Sequence, residues 1–591
     1  FLQTGTTIGI GSPRASLESN FALRRLVGQE NFYMGISKHE AELMKTAVSL
    51  LQQLPTPNLR EIGEADAVFI LGEDVTNTAP MMALALRQSV RQQAMDQITP
   101  LGIPQWQDKA VREALQNEPN GPLFIGSLHH TRLDDIATYT YHAAPEDLAR
   151  LGFAVAHTLK DSAPAVTDLD PELSGLVNEI ALALGTARRP VIISGVSSGS
   201  EAVMQAAANV AFALGENGRL SLIFPAANSL GAALLGGNSM EDAPEADTVI
   251  VLENDVRRWA VDTAVSRTID AAEQVIVLDY LENDTTAQAD IVLPAAAIAE
   301  ADGTLVNNEG RAQRFYQVYI PESDAQASWR WLEAIRAAQT EAAPSDWDGL
   351  VMDIAASDPI FADLPQDAPL ATFRINGQKV ARQPMRYSGH TSIYANRSVS
   401  EPVSEPPPPT DPDTPLAFSM EGSERQPPAA LVNRYWAPGW NSVQSLNRFQ
   451  EEIGGPLRGN SEGVRLFTAV AGDHAYFETI PLAFGVEDDV WRVLPIYHIF
   501  GSEELSAQSP AIAARSPQPY LALNPDDAAK LGLVEGETAV LDQTLSLPVK
   551  LLHSLPKGTV GLPIGLSSGA ELVGKDVQIL QSKNRTQMNA D

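Results

Sequence analysis

Two stretches decide how this chain is read: Glu64–Val75, EADAVFILGEDV, and Glu245–Val256, EADTVIVLENDV. Seven of the twelve positions are identical, at a constant offset of 181 residues. Each opens with an acidic turn, runs through an unbroken apolar segment and ends in a polar loop. In the first copy the run Ala67–Leu71 lies between Asp66 and Gly72. A run of that length without polar alternation predicts a strand buried on both faces, as in a parallel sheet. Finding it twice predicts a duplicated α/β unit.

The flanking sequence alternates in the same way. Across residues 1–160, helices are predicted over Ser16–Val27, Glu40–Leu51 and Met82–Ala94, and a further strand at Pro122–Ile125. The polar stretch Ser127–Asp135 follows. Across residues 161–335, Ser174–Leu184 and the alanine-rich Ser200–Leu214 read as helices, the second stopped by Gly215. Val191–Ile193, Val249–Leu252 and Val275–Leu278 read as buried strands. Strands alternating with helices of this length argue for βαβ units and an α/β fold with mostly parallel sheets. The first α/β unit is therefore expected over 1–160 and the second over 161–335.

The rest reads differently. Residues 336–425 are irregular and include the proline-rich stretch 398–415, SVSEPVSEPPPPTDPDTP, which predicts an extended linker. Residues 426–591 form a C-terminal region. Its end, about 515–591, carries the strand patterns Tyr520–Leu523, Thr538–Leu541, Ser546–Leu552 and Thr559–Leu562. A short helix, Pro525–Leu531, is capped by Asn524 and closed by Gly532. That pattern predicts a small β-barrel.

Composition removes several functions. Acidic residues outnumber basic ones by 74 to 41, a net charge of −33, so nucleic acid is excluded as the main partner. No stretch reaches the roughly 18 apolar residues of a membrane helix, so membrane association is expected only through partners. The chain contains no cysteine. Disulfides, thiolate zinc sites, thiolate-ligated iron–sulfur clusters and a cysteine nucleophile are all excluded within it. Phe1 is not an initiator methionine, and the chain begins in what reads as Gly- and Ser-rich turn sequence, as expected of a fragment or processed product.

Three segments resemble the molybdopterin oxidoreductases and their relative in respiratory complex I, the large iron–sulfur subunit. The first is Ser12–Val27 with the following strand and loop to Asp74. The second, the most specific, is 289–313, ADIVLPAAAIAEADGTLVNNEGRAQ, with Asp290, Leu293-Pro294, Glu300, Gly303, Asn307, Glu309, Gly310 and Arg311 in the family's pattern. The third is 519–541, PYLALNPDDAAKLGLVEGETAVL, similar to the start of the family's C-terminal double-psi barrel. Residues 188–214 fit the complex I branch. The resemblance implies a molybdopterin oxidoreductase-like fold and an upstream third that carries the iron–sulfur clusters. It implies a scaffold role in the peripheral arm of NADH:quinone oxidoreductase, on the cytoplasmic side of the bacterial inner membrane. The partners implied are the NADH-oxidising flavin subunit and the neighbouring peripheral-arm subunits.

No catalytic, cofactor-binding or metal-binding residue is assigned, and no molybdenum is expected. By the resemblance, the metal-ligand position falls near Ser37–His39, where no supporting motif stands. Where the family carries an acidic residue and Pro-Arg for the nucleotide, this chain has Gly126-Ser127-Leu128-His129. Asn307, Glu309 and Arg311 read as a turn with an arginine–carboxylate pair. His129, His130 and His142 suggest a metal site, but no carboxylate stands at ligand spacing in a recognisable motif, so they read as surface or hydrogen-bonding histidines. Two readings compete: a catalytic molybdopterin-dependent oxidoreductase fragment, and a serine hydrolase. The second rests on Gly195-Val196-Ser197-Ser198-Gly199, which has the form of a nucleophile elbow with Ser197 at its centre. His390, His474, His498 and His553 follow downstream, in the order a triad needs.

Overall fold

The computed structural model describes residues 5–103, 107–115, 120–318, 320–367, 418–419, 422–423, 463–469, 474–566 and 569–581. The proline-rich stretch 398–415 and His390 lie outside them. Ten strands build two five-stranded parallel sheets. They are β1 Thr7–Ile10, β2 Phe32–Tyr33, β3 Ala67–Leu71, β4 Leu123–Ser127, β5 Tyr139–His142, β6 Pro190–Gly195, β7 Leu220–Ile223, β8 Thr248–Leu252, β9 Gln274–Asp279 and β10 Ile291–Pro294. One sheet has the order β5-β4-β3-β6-β7, the other β10-β9-β8-β1-β2.

The repeated sequence therefore supplies the central strand of each sheet. All five residues of β3 and all five of β8 are buried. From each centre the chain steps outward through the next two strands in sequence. The opposite side is filled by β6 and β7 in one sheet, but by β1 and β2, from the start of the chain, in the other. The sheets are the same arrangement with different chain entry points. The boundary expected near residue 160 does not separate them: β6 and β7 complete the sheet of β3, and the unit spanning 55–225 interrupts the other.

The acidic residue at the head of each copy explains why it recurs. Asp66 accepts hydrogen bonds from Arg188 N (3.0 Å) and Arg189 N (2.7 Å), where β6 begins. Asp247 accepts one from Thr6 N (2.6 Å), where β1 begins. Each carboxylate pins the neighbouring strand across the point where strand order reverses. At the other end of each copy the backbone turns left-handed, with φ 86° at Gly72 and 43° at Glu253.

Helices cover both faces. α1 (Leu17–Val27) is capped by Ser16, whose side chain accepts from Ser19 N, and α2 (Lys38–Gln53) by Ser37. Helix Pro145–Leu159 packs on Glu201–Ala213, where Gly152 permits the close crossing. A Cβ there would stand 2.6 Å from Leu71 Cδ2 and 2.9 Å from Ala206 Cβ.

Several expectations shift. The predicted helix Met82–Ala94 is two helices, Pro80–Ser89 and Gln92–Ile98. The start of the chain, read as turn sequence, contains β1 beside the central strand. Helix Trp347–Ser357 lies within the segment read as irregular. The C-terminal sheet starts earlier than 515, because Trp491–Ile496 pairs in parallel with Thr559–Pro563. It is a nearly closed mixed sheet of seven strands. In chain order they are Trp491–Ile496, Leu521–Leu523, Thr538–Leu541, Leu545–Leu551, Thr559–Pro563, Asp576–Val577 and Ile579–Gln581.

Replacing either pinning aspartate tests the equivalence. Asp66→Ala leaves two backbone amides without their charged acceptor and is expected to cost about 1.5–3 kcal/mol. Asp247→Ala, at a more exposed contact, is expected to cost about 0.5–1.5 kcal/mol. Denaturation midpoints of the two variants check the order.

Candidate functional site

In open α/β sheets, ligands bind outside the carboxyl ends of the strands where the order reverses. Here those crevices lie between β3 and β6 and between β8 and β1. In the first, Glu73 follows Gly72 and is buried. Its Oε1 accepts from Ser197 N at 3.0 Å, and Thr78 Oγ1 lies 3.4 Å from Oε2. Gly195 has to be glycine, since a Cβ would meet Glu73 Oε1 at 2.4 Å. Burial pushes the Glu73 carboxyl up to about 8. Glu40, facing a small cavity lined by Pro13, Met34, Ile36 and Met44, is pushed up to about 7 by desolvation. Tyr497 titrates above its ordinary range, through burial and the nearby charges of Glu40 and Glu73.

The residues at the resemblance's metal-ligand position are engaged locally. Ser37 Oγ accepts from Glu40 N at 3.2 Å, and His39 Nε2 stands 2.8 Å from Gly199 O. The second crevice is a small cleft whose lining includes Arg14, Ser19, Glu253, Tyr280, Asp302 and Ser328. Arg14 donates from Nε and Nη2 to Glu253 O, at 3.2 and 2.7 Å, and Nη1 lies 2.9 Å from Glu504 Oε2. Arg258 Nη1 reaches the other oxygen of Glu504 at 3.4 Å. Burial raises Glu253 to about 7 and raises Asp279 and Glu504 from their ordinary values.

A pterin dinucleotide needs free donors or positive charge for its phosphates. Both crevices present buried carboxyls instead, and the guanidinium lining the second already faces Glu504 and the carbonyl of Glu253. With no thiol in the chain and Ser37 occupied as a helix cap, the residues present do not fit a molybdenum dinucleotide.

Among the described residues the geometry gives the hydrolase reading no support. Ser197 is buried and its amide is tied to Glu73. His474 stacks on Phe212 at 5.0 Å, His498 Nε2 lies 2.9 Å from Tyr520 OH, and His553 is exposed. Asn307, Glu309 and Arg311 sit together in a tight turn. Asn307 Oδ1 accepts from Glu309 N and Arg311 N, Gly310 adopts φ 69°, and Glu309 Oε2 pairs with Arg311 and Arg465, each at 3.2 Å. His130 and His142 do come together, around a carboxylate that the sequence did not single out, Asp134. Glu40, Glu73, Arg14 and Tyr497 were also missed. A charged residue placed directly after a buried strand, as Glu73 is, was the available signal.

The raised carboxyls fix a pH dependence. The folded state of Glu73 holds its proton to about pH 8, whereas the unfolded chain releases it near 4.5. Native protein therefore binds more protons between those values, and stability falls as pH rises through that window, by up to about 1.4 kcal/mol per pH unit for one such group. Glu73→Gln keeps an acceptor for Ser197 N and is expected to flatten the decline. Thermal unfolding from pH 5 to 8 checks this.

The molybdopterin oxidoreductase family model matches residues 6–338, more than half of the chain. A subunit of the NADH-quinone oxidoreductase of Salmonella typhimurium is 46% identical over 587 residues, 95% of this chain and 64% of the relative. The Pseudomonas fluorescens protein of the same name is 47% identical, covering 97% of this chain and 66% of its own length. That of Escherichia coli strain K12 is 46% identical, covering 97% and 65%. The chain thus spans about two thirds of the length of these relatives. Among solved structures, acetylene hydratase from Pelobacter acetylenicus aligns with a TM-score of 0.49 and 12% identity, over 96% of this chain and 82% of that one. On the sequence match across both parallel sheets, this chain belongs to the molybdopterin oxidoreductase family.

Proposed function

We propose that this chain is the scaffold portion of a subunit of NADH:quinone oxidoreductase, respiratory complex I, and performs no redox chemistry of its own. The observation that carries the reading is the 46% identity to a single NADH-quinone oxidoreductase subunit over 95% of the chain. The donor chemistry agrees with it. The chain offers no thiolate to a metal or cluster, and its two crevices hold buried carboxyls where a dinucleotide needs donors. Electrons would pass through clusters held in the part of the relatives that this chain does not span. These domains would surround that path and contact neighbouring subunits of the peripheral arm, the flavin subunit among them. No helix of the described residues is long and apolar enough to cross a membrane. Attachment to the cytoplasmic face of the inner membrane would then run through partners.

Two measurements test the reading. The purified chain is expected to be colourless, with neither iron nor molybdenum in stoichiometric amount by elemental analysis. Joined to the remaining third of a relative, it is expected to co-purify with NADH dehydrogenase activity. A stoichiometric pterin-bound metal with substrate turnover in the isolated chain would overturn the proposal.

A further inference from the structure

Four strands form the outer edges of the two parallel sheets, and three of them are covered or polar. Both residues of β2 are buried, and Tyr33 bridges to Asn238. All of β7 is buried, and Leu220 N donates to Pro55 O at 3.0 Å. β5 reads Tyr-Thr-Tyr-His, and each of these side chains offers a polar group to water. β10 differs. It reads Ile-Val-Leu-Pro, pairs among the described strands with β9 alone, and leaves three of its four residues exposed. Ile291 and Val292 point to opposite faces of the sheet, yet they are 37% and 48% exposed.

A strand of a parallel sheet is normally buried on both faces. An open edge is normally guarded by a charge, a proline or a bulge. On β10 such guards stand only at the ends. Asp290 is engaged in accepting from Val275 N at 2.8 Å. At the other end Gln326 pairs with Ala295, and Pro294 O accepts from Trp331 Nε1 at 2.9 Å. Among the described residues nothing pairs with the outer side of residues 291–293. Exposed apolar side chains continue past Pro294. Ile298 is exposed, and beside it Val318, whose N–H donates to Ala299 O at 2.8 Å, is 79% exposed. Ile320 follows at 80%.

Charge selects what fits there. Residues 268–310 contain no lysine or arginine. Arg311 and Arg314, which follow, already face Glu309 and Asp348. Glu282 and Asp284 lie after β9, and Glu322 and Asp324 lie on the run that enters the Gln326 pairing. All four are exposed, and none stands in an ion pair among the described residues. A second copy of this chain would bring the same carboxylates to the same edge, and like charges set opposite each other are destabilising. We propose that the outer edge of β10 receives an extended segment of a partner protein that carries lysine or arginine. The segment adds as a further strand, with apolar side chains against Ile291 and Val292 and basic ones toward Glu322 and Asp324. This deepens the scaffold role proposed above, but its test needs only this chain and peptides, so either reading can fail without the other.

The test is fluorescence anisotropy of the full chain with a short capped peptide that alternates valine with lysine, joined to hydrogen exchange measured over residues 289–295. The peptide is expected to bind roughly ten-fold or more tightly than versions alternating valine with glutamate or proline with lysine. It is also expected to slow exchange over 289–295. The proline version keeps the charge but loses the N–H groups and side chains of the valines. Ile291→Thr combined with Val292→Thr keeps strand-forming residues and is expected to weaken binding by roughly ten-fold. Glu322→Gln combined with Asp324→Asn is expected to weaken it and to reduce its dependence on salt. All four positions are exposed, so these variants do not threaten the fold. Equal binding of the proline–lysine peptide would mean charge attraction alone and would overturn the proposal. So would no binding of the valine–lysine peptide, or binding that leaves exchange over 289–295 unchanged. Slow exchange there in dilute chain without peptide would show that the chain covers its own edge. Exchange that slows as chain concentration rises would assign the edge to a second copy. Either result also overturns the proposal.

Discussion

A parallel strand covered by helices on both faces admits almost no polar side chain along its length beyond a hydrogen-bonded Ser or Thr, and this constraint organises the molecule. β3 and β8 meet it with five buried residues each. Polar groups are displaced to the strand ends, where they do the specific work. At the amino ends, Asp66 and Asp247 hold the neighbouring strand in place. At the carboxyl ends, a left-handed residue turns the chain, and a buried glutamate marks the turn: Glu73 just after Gly72 in one copy, and Glu253 at the left-handed position itself in the other.

The two copies have diverged at those carboxyl ends. The left-handed position is a glycine in one and a glutamate in the other, at φ 86° and 43°. A non-glycine residue there costs about 1–2 kcal/mol, which the contacts of Glu253 offset. Its carbonyl accepts from Ser12 Oγ and Arg14, and its carboxyl from Ser328 Oγ. The crevice that could open onto a ligand is thus tied to the chain's own side chains. The same logic holds for Glu73, whose carboxyl fills the space that Gly195 leaves.

Much of this was legible in the sequence, and the reasons are local. The run Ala67–Leu71 marked a doubly buried strand to the residue, and the Asn307–Arg311 turn declared itself through its glycine and charge pair. What the sequence hid was set by distance. β1 is only four residues, Thr7–Ile10, among glycines, and becomes a strand because β8 lies beside it. The division into sequential halves failed because pairing partners do not follow chain order. Asp134 escaped notice because its meeting with His142 depends on two strand ends aligning, not on spacing. The elbow-like form of Gly195–Gly199 is a property of a tight strand-to-helix turn, and the downstream histidines that are described are engaged elsewhere or exposed.

The interrupted sheet has a consequence for how the polypeptide is made. Thr6 and Asp247 meet across 241 residues. At a synthesis rate of roughly 5–20 residues per second, the first strand waits about 12–50 s for its partner to leave the ribosome. The intervening unit can finish folding in that time, while β1, α1 and β2 stay exposed with their apolar faces uncovered. Nascent chains of this architecture therefore pass through an interval in which chaperone protection of the segment from β1 to β2 matters most.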